Sequence, residues 1–200
     1  MKHHYINKEK NFIAGFYTDS DVIDTIQDFF DSVHPWPGEQ SMDGNVDETV
    51  KKSLDRTLYG FLKGSYTNEV LYPALQEYLK LYEWANKTFI FDVIEEINVQ
   101  KYNPGGGFYK YHFERSAPLL SYRHLVFMTY LNDVNDGGET EWFYQQTKIK
   151  PEKGLTVIWP TDWTHTHRGI PSMSETKTIV TGWLSYDQSK WEYINDKTSN

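Results

Sequence analysis

The stretch "KTIVTGWLSY", residues 177 to 186, is a run of β-branched and aromatic residues, the composition of a strand. It does not stand alone. Working backward, "GLTVIWP" (154–160), "ETEWFY" (139–144), "RHLVFMTYLN" (123–132) and "FIFDVIEEINVQKY" (89–102) repeat the pattern, separated by Gly, Pro, Asn and Asp turns. No helix-length segment interrupts them. Many short strands in succession argue for an antiparallel sandwich or a jelly roll, that is, a double-stranded β-helix. Before residue 88 the period changes. "NFIAGFYT" (11–18) reads as a strand, and residues 19–34 place Val22, Ile23, Ile26, Phe29, Phe30 and Val33 at helical spacing behind an Asp/Ser cap. Residues 68–87 form a second amphipathic stretch, kinked or started at Pro73, while 47–62 is ambiguous. The expected architecture is mainly β with N-terminal α. One domain over 1–200 is expected, with 1–87 as helical and strand support and 88–187 as the jelly-roll core. Residues 35–50, beginning "PWPGEQSMDGNVD", carry loop chemistry and are expected as a lid over a groove, and the terminal "NDKTSN" is expected to fray.

Composition narrows the chemistry. The net charge is -8, and no Lys/Arg block exceeds two consecutive residues, so the electrostatic footprint of a nucleic-acid binder is missing. There is no cysteine, which excludes disulfides, thiolate metal sites and a cysteine nucleophile together; any metal must be held by His, Asp or Glu. No long apolar run or signal-peptide pattern is present, so a cytoplasmic protein without a membrane partner is expected.

Within that frame "YKYHFERS" (109–116) is unusual. His112 and Glu114 lie two positions apart, and in a strand such residues point to one face roughly 7 Å apart. A metal could accept both. A third ligand must then come from elsewhere, and the later histidines are His124, His165 and His167, the last two in "WPTDWTHTHRGIP". Two His and one carboxylate form a facial triad that leaves three positions open. An H-x-E pair alone is common and is usually no metal site. Lys177 adds weight: an inward lysine in a strand is costly unless it meets an anion, although on an edge strand it would simply be solvated.

Taken together, "YNPGGGFYKYHFERS", Arg123 seven residues before Tyr130, "DGGETEWF", "IKPEKGLTVIWP" and "HRGIPSMSETKTIVTGWL" resemble the prolyl 4-hydroxylase-like iron(II)/2-oxoglutarate dioxygenases, in the family's order and over about the last half of the chain. The resemblance implies His112, Glu114 and His167 as catalytic iron ligands, with Glu114 where the family has aspartate. His167 is favoured over His165 by its ten-residue spacing to Lys177. Lys177 is implied as the partner of the distal carboxylate of 2-oxoglutarate, with Tyr102 a hydroxyl donor to it and Thr140 of the "GGET" turn a weaker candidate. Tyr102 stands one residue further from the histidine than in the family, an offset that the extra glycine of "PGGG" would absorb as a bulge. Arg123 and Tyr109 are implied at the substrate mouth, and Arg168 and Trp183 as packing or rim residues. The implied cofactors are Fe(II), 2-oxoglutarate and O2, with ascorbate as the accessory reductant that sustains turnover in the relatives.

The expected reaction hydroxylates an unactivated C–H and releases succinate and CO2. Peptidyl proline leads as substrate on the resemblance. The same chemistry on a free amino acid or other small metabolite is the alternative, since fold does not fix substrate. A non-catalytic jelly-roll binding protein is the reading from a different class. It predicts His112 and His167 far apart and Lys177 in solvent.

Overall fold

The computed structural model of the chain describes residues 1–4, 11–38 and 46–190. Strands β1 (Lys2–His4) and β2 (Ala14–Tyr17) are followed by α1 (Val22–Ser32), a two-residue β3 (Trp36–Pro37), β4 (Lys51–Lys52) and β5 (Leu54–Leu58). Helix α2 (Gly60–Tyr66) runs through a π-turn at Thr67–Leu71 into α3 (Tyr72–Leu81). The remainder is β6 (Phe91–Asp92), β7 (Ile97–Tyr102), β8 (Gly107–Phe108), β9 (Arg123–Tyr130), β10 (Thr140–Trp142), β11 (Thr147–Ile149), β12 (Leu155–Pro160), β13 (His167–Gly169) and β14 (Lys177–Tyr186). Residues 39–45, at the centre of the expected lid, and the terminal "NDKTSN" lie outside the described residues.

Among the described residues every strand pairing is antiparallel. The large sheet runs β1-β2-β12-β9-β14-β7-β5-β3, with β6 added beside β14. A smaller sheet of β11-β10-β13 and a ribbon of β4 with β8 complete the jelly roll. Strand alternation divides the large sheet between two cores. Leu125, Phe127, Val99, Val180 and Leu184 face the helices and pack with Ile23, Ile26, Phe30, Tyr66, Val70, Leu71, Ala74 and Tyr78. Val126, Met128, Tyr130, Tyr102 and Ile179 face the other way, toward Trp142, Ile149, Val157 and Trp159. Both faces of β9 and β14 are therefore covered, which explains why these strands read as nearly continuous apolar runs.

Two local features depart from the sequence expectation. The second helical stretch begins at Gly60 rather than near residue 68, and it is widened at Thr67–Leu71, where the Tyr72 N–H reaches back to the Thr67 carbonyl. The widening ends one residue short of Pro73, whose ring and missing N–H disfavour a regular α-turn. Residues 109–116 do not form a continuous strand either; among them only His112 bridges, to His167.

Candidate active site

A cavity of about 820 Å³ opens between the inner face of the large sheet and the smaller sheet. Its floor follows strand parity. Lys177, Ile179, Thr181 and Trp183 alternate along β14, and Asn98, Gln100 and Tyr102 alternate beside them on β7. At the end of β9 the register with β14 shifts between Leu184 and Ser185, so that Ser185 pairs with Arg123 and His124 is skipped. This bulge brings Arg123 to the cavity although its parity within β9 matches Leu125 and Phe127 of the opposite core.

His112, Glu114 and His167 converge here, with one ligand atom from each lying within 4.8 Å of the others. The two imidazole Nε2 atoms are each 3.5 Å from Glu114 Oε1. The H-x-E pair was expected to share one face of a strand; an isolated antiparallel bridge achieves the convergence instead. The His112 N–H donates to the His167 carbonyl and the His167 N–H to the His112 carbonyl, both at 2.9 Å. Two positions on, the Glu114 N–H donates to the Thr161 carbonyl. The ring orientations are fixed as well. His112 Nδ1 faces the Lys110 carbonyl at 3.1 Å and His167 Nδ1 the His165 carbonyl at 2.9 Å, leaving each Nε2 toward the carboxylate. Phe108 stacks on the His112 ring at 3.7 Å between centroids.

The electrostatics suit a divalent cation. Burial pushes the Glu114 carboxyl up, but hydrogen bonds and charge from His112 and His167 outweigh it and hold the group well below the usual carboxylate range. Burial, reinforced by His112, lowers His167. Both shifts run in the direction that metal coordination requires, an ionised carboxylate and an imidazole that gives up its proton readily. Two donors about 2.1 Å from one ion and at right angles stand about 3 Å apart, so spacings of 3.5 Å need only a small inward movement to close on a metal.

His165 takes no part. It is buried on a 3₁₀ turn, with Nε2 against the Asn11 carbonyl at 3.0 Å and Nδ1 against Thr164 Oγ1 at 3.0 Å. His124 lies on the other side of the sheet edge, between the Ala85 carbonyl and the Tyr186 hydroxyl.

At the inner end of the cavity Lys177 is only 4% exposed. Its Nζ donates to the Gly138 carbonyl at 2.9 Å and lies 4.9 Å from the Tyr102 ring centre. Among the described residues no carboxylate is within ion-pair distance of it. Burial pulls its pKa down from 10.5 to about 8, opposed only by the distant charge of Glu139. Tyr102 sits opposite Lys177 in the register, yet its hydroxyl donates to Gln100 Oε1 at 2.7 Å. Gln100 in turn reaches Asp55, which holds Lys51 at 2.6 Å and Ser53 at 2.7 Å, a buried polar wall absent from the sequence expectations. Thr140 lines the cavity with its hydroxyl on that of Tyr130 at 2.8 Å. The Trp159 indole N–H, also on a lining residue, has no partner among the described residues. The "PGGG" offset is taken up in a tight turn, where the Gly106 N–H meets the Asn103 carbonyl and Gly105 has φ of +82°.

The mouth differs most from expectation. Arg123 does not extend into open groove; its guanidinium donates to both oxygens of Glu95 at 2.6–3.1 Å and lies 3.4 Å from the Trp183 ring centre. Trp183, expected as packing or rim, donates its indole N–H to Glu114 Oε2 at 2.9 Å. Its position was available from parity, six residues and three full alternations beyond Lys177. Glu95 carried no such signal. Tyr109 is not part of the cavity wall; its hydroxyl donates to the Gly105 carbonyl at 2.6 Å. Arg168 lies outside, on Glu141 and over the Tyr111 ring.

These positions overturn the reading of packing-only histidines, which required His112 and His167 apart and Lys177 in solvent. Among the described residues no helix is long and apolar enough to cross a membrane.

Comparison with known proteins points the same way. The model of the 2OG-Fe(II) oxygenase superfamily matches residues 97–185. The fold is similar to that of the viral collagen prolyl hydroxylase of Paramecium Bursaria Chlorella virus-1, with a TM-score of 0.65 at 18% identity over 89% of this chain and 98% of that one. A prolyl hydroxylase of Trichoplax adhaerens, solved with a hypoxia inducible factor oxygen degradation domain peptide fragment, gives a TM-score of 0.71 at 15% identity over 88% of this chain and 84% of that one. A Pseudomonas putida prolyl-4-hydroxylase gives 0.61 at 13% identity over 89% and 94%. No curated protein matches the sequence.

Proposed function

We propose, from the match of residues 97–185 to the model of the 2OG-Fe(II) oxygenase superfamily, that the chain is a member of it and hydroxylates proline within a peptide. The chain is an iron(II)- and 2-oxoglutarate-dependent dioxygenase, and its ligand set in this reading is His112, Glu114 and His167. When bound, iron with 2-oxoglutarate and O2 supplies the oxidising power, consuming the co-substrate to succinate and CO2. The protein's own work is placement. The two imidazoles present Nε2 because backbone carbonyls occupy Nδ1, and Glu114 offers a single oxygen between them. Lys177 neutralises the distal carboxylate of 2-oxoglutarate. Among the described residues it is the buried cation that lacks a carboxylate of its own, and this observation carries the cofactor assignment. Tyr102 shapes that pocket with its ring face, and Thr140 closes the opposite wall. Val126, Met128, Trp159 and Ile179 keep the inner end apolar and exclude water.

The peptide part of the reading rests on the cavity's extent. It runs from Lys177 on β14 across β7 to Asp55 and Thr57 on β5 and to Trp36 on β3. Three strand spacings make about 14 Å, room for a chain segment rather than one free amino acid. The likeness to prolyl hydroxylases, one of them solved with a peptide fragment, supports proline as the target. The test incubates the purified protein, iron(II) and 2-oxoglutarate with a panel of proline-containing peptides and free amino acids, reading succinate and the mass gain of one oxygen. Oxygen transfer to peptidyl proline is expected. Turnover of free amino acids alone would replace the peptide by a metabolite.

A further inference from the structure

Glu114 is held at both ends of its carboxylate. Oε1 faces the two imidazoles at 3.5 Å, while Oε2 takes the Trp183 indole N–H at 2.9 Å and stands 3.6 Å from Arg123. We infer that Trp183 is a positioning residue that keeps Glu114 a one-oxygen ligand, with Arg123 and Glu95 as its support; the inference rests on the ligand set proposed above.

A carboxylate free at its outer oxygen can rotate to offer a metal both oxygens. That would take one of the three positions that co-substrate and O2 need. An indole N–H is a donor only, so it fixes the outer oxygen in place and cannot itself compete for the metal. The residue type at position 114 follows. Glutamate is one methylene longer than aspartate, and its reach spans the gap between the imidazole pair and an indole on β14. Glu114 and Trp183 are therefore matched, and shortening the one should forfeit the bond to the other.

The support is continuous. Arg123 lies against the indole face at 3.4 Å, and both Glu95 oxygens hold its guanidinium. Glu95 Oε1 also accepts the Ser185 hydroxyl at 2.7 Å, tying the assembly to the last residues of β14. Glu95 has a second effect. It claims the arginine's strongest hydrogen bonds, so Arg123 stays beside Glu114 Oε2 without drawing the carboxylate off the metal. Arg123 thereby acts through Glu114 rather than on substrate, unlike the role implied by the resemblance.

The test is metal affinity and not turnover. Iron(II) binding to the purified protein is measured anaerobically by competition with a chromophoric chelator. Trp183→Phe keeps the ring and deletes the donor, and 10- to 100-fold weaker binding is expected, the usual effect of removing a ligand's hydrogen-bond partner. Glu114→Asp is expected to weaken binding comparably, and the double variant to be no weaker than Glu114→Asp alone. Unchanged affinity in Trp183→Phe, or losses that multiply in the double variant, would overturn the inference. His112→Ala separates the two levels: if it binds iron as tightly as the parent, the ligand set itself is wrong. Should Trp183→Phe not fold, ¹⁵N-tryptophan spectra of the parent decide. One indole resonance should lie downfield, shift in Glu114→Asp and move on zinc addition; absence of any such resonance is equally fatal.

Discussion

Lys177 combines deep burial with the lack of a carboxylate partner in contact, and this makes its cost measurable. A pKa drawn from 10.5 to about 8 by burial corresponds to roughly 3 kcal/mol charged against the protein without its co-substrate. Lys177→Met should raise the stability of that form by about 1–3 kcal/mol in urea titrations, while abolishing its stabilisation by 2-oxoglutarate. The pH dependence has a definite sign. Below about 8 both folded and unfolded chains carry the proton and the full cost applies. Between about 8 and 10.5 the folded chain sheds it first, the unfolded chain binds more protons, and stability rises with pH. Binding of 2-oxoglutarate runs the other way and should weaken as pH rises through about 8, a trend that calorimetry should find missing in Lys177→Met. At this scale the sequence was informative wherever a residue type was improbable in its setting. A lysine opening an apolar strand and an H-x-E pair among aromatics both announced themselves. Trp183 was legible only through its parity with Lys177, because a tryptophan in a strand otherwise reads as core, and Glu95 was not legible at all, since it lies 28 residues from its partner Arg123 across the fold.

The elements with regular periods were legible, and those set by tertiary contacts were not. Strands β7, β9, β12 and β14 fall within the runs that the sequence singled out. The π-turn before Pro73 and the bulge that skips His124 have no periodic signature, although the bulge turns Arg123 toward the candidate metal site. The ligand segment is the sharpest case. Spacing of two predicts a strand, whereas the backbone exchange between His112 and His167 produces the convergence. His165 differs from His167 by one hydrogen-bonded turn, since Asn11 and Thr164 occupy both of its ring nitrogens. His165→Ala should therefore cost about 1–3 kcal/mol of stability by leaving buried groups unpaired, with iron affinity retained; loss of iron binding would contradict its placement. Gly182 tests the central strand. A Cβ there would lie 2.6 Å from Phe127 Cζ, so Gly182→Ala should lower stability by about 1–3 kcal/mol in the same titration.

For the molecule as a whole, the large sheet is the common wall of two cores, one against the helices and one enclosing the cavity. In the proposed reading metal and 2-oxoglutarate bind on the second side, yet their stabilisation should appear in the melting of both, because β9 and β14 belong to each. The overall jelly roll was readable from the order of short strands; the cavity's length was not, since it depends on β3 and β5 from the N-terminal region joining the same sheet. Removing metal with a chelator should leave the far- and near-ultraviolet circular dichroism unchanged and shift only the melting temperature, in proportion to the logarithm of free metal. The reason is the mutual backbone bond between His112 and His167, which holds the ligands in register by main chain alone. Iron is then a tenant of a finished room, not the keystone of its arch. A cell starved of iron would keep a standing reserve of folded apoprotein, and its activity would recover at the pace of ion delivery instead of new synthesis.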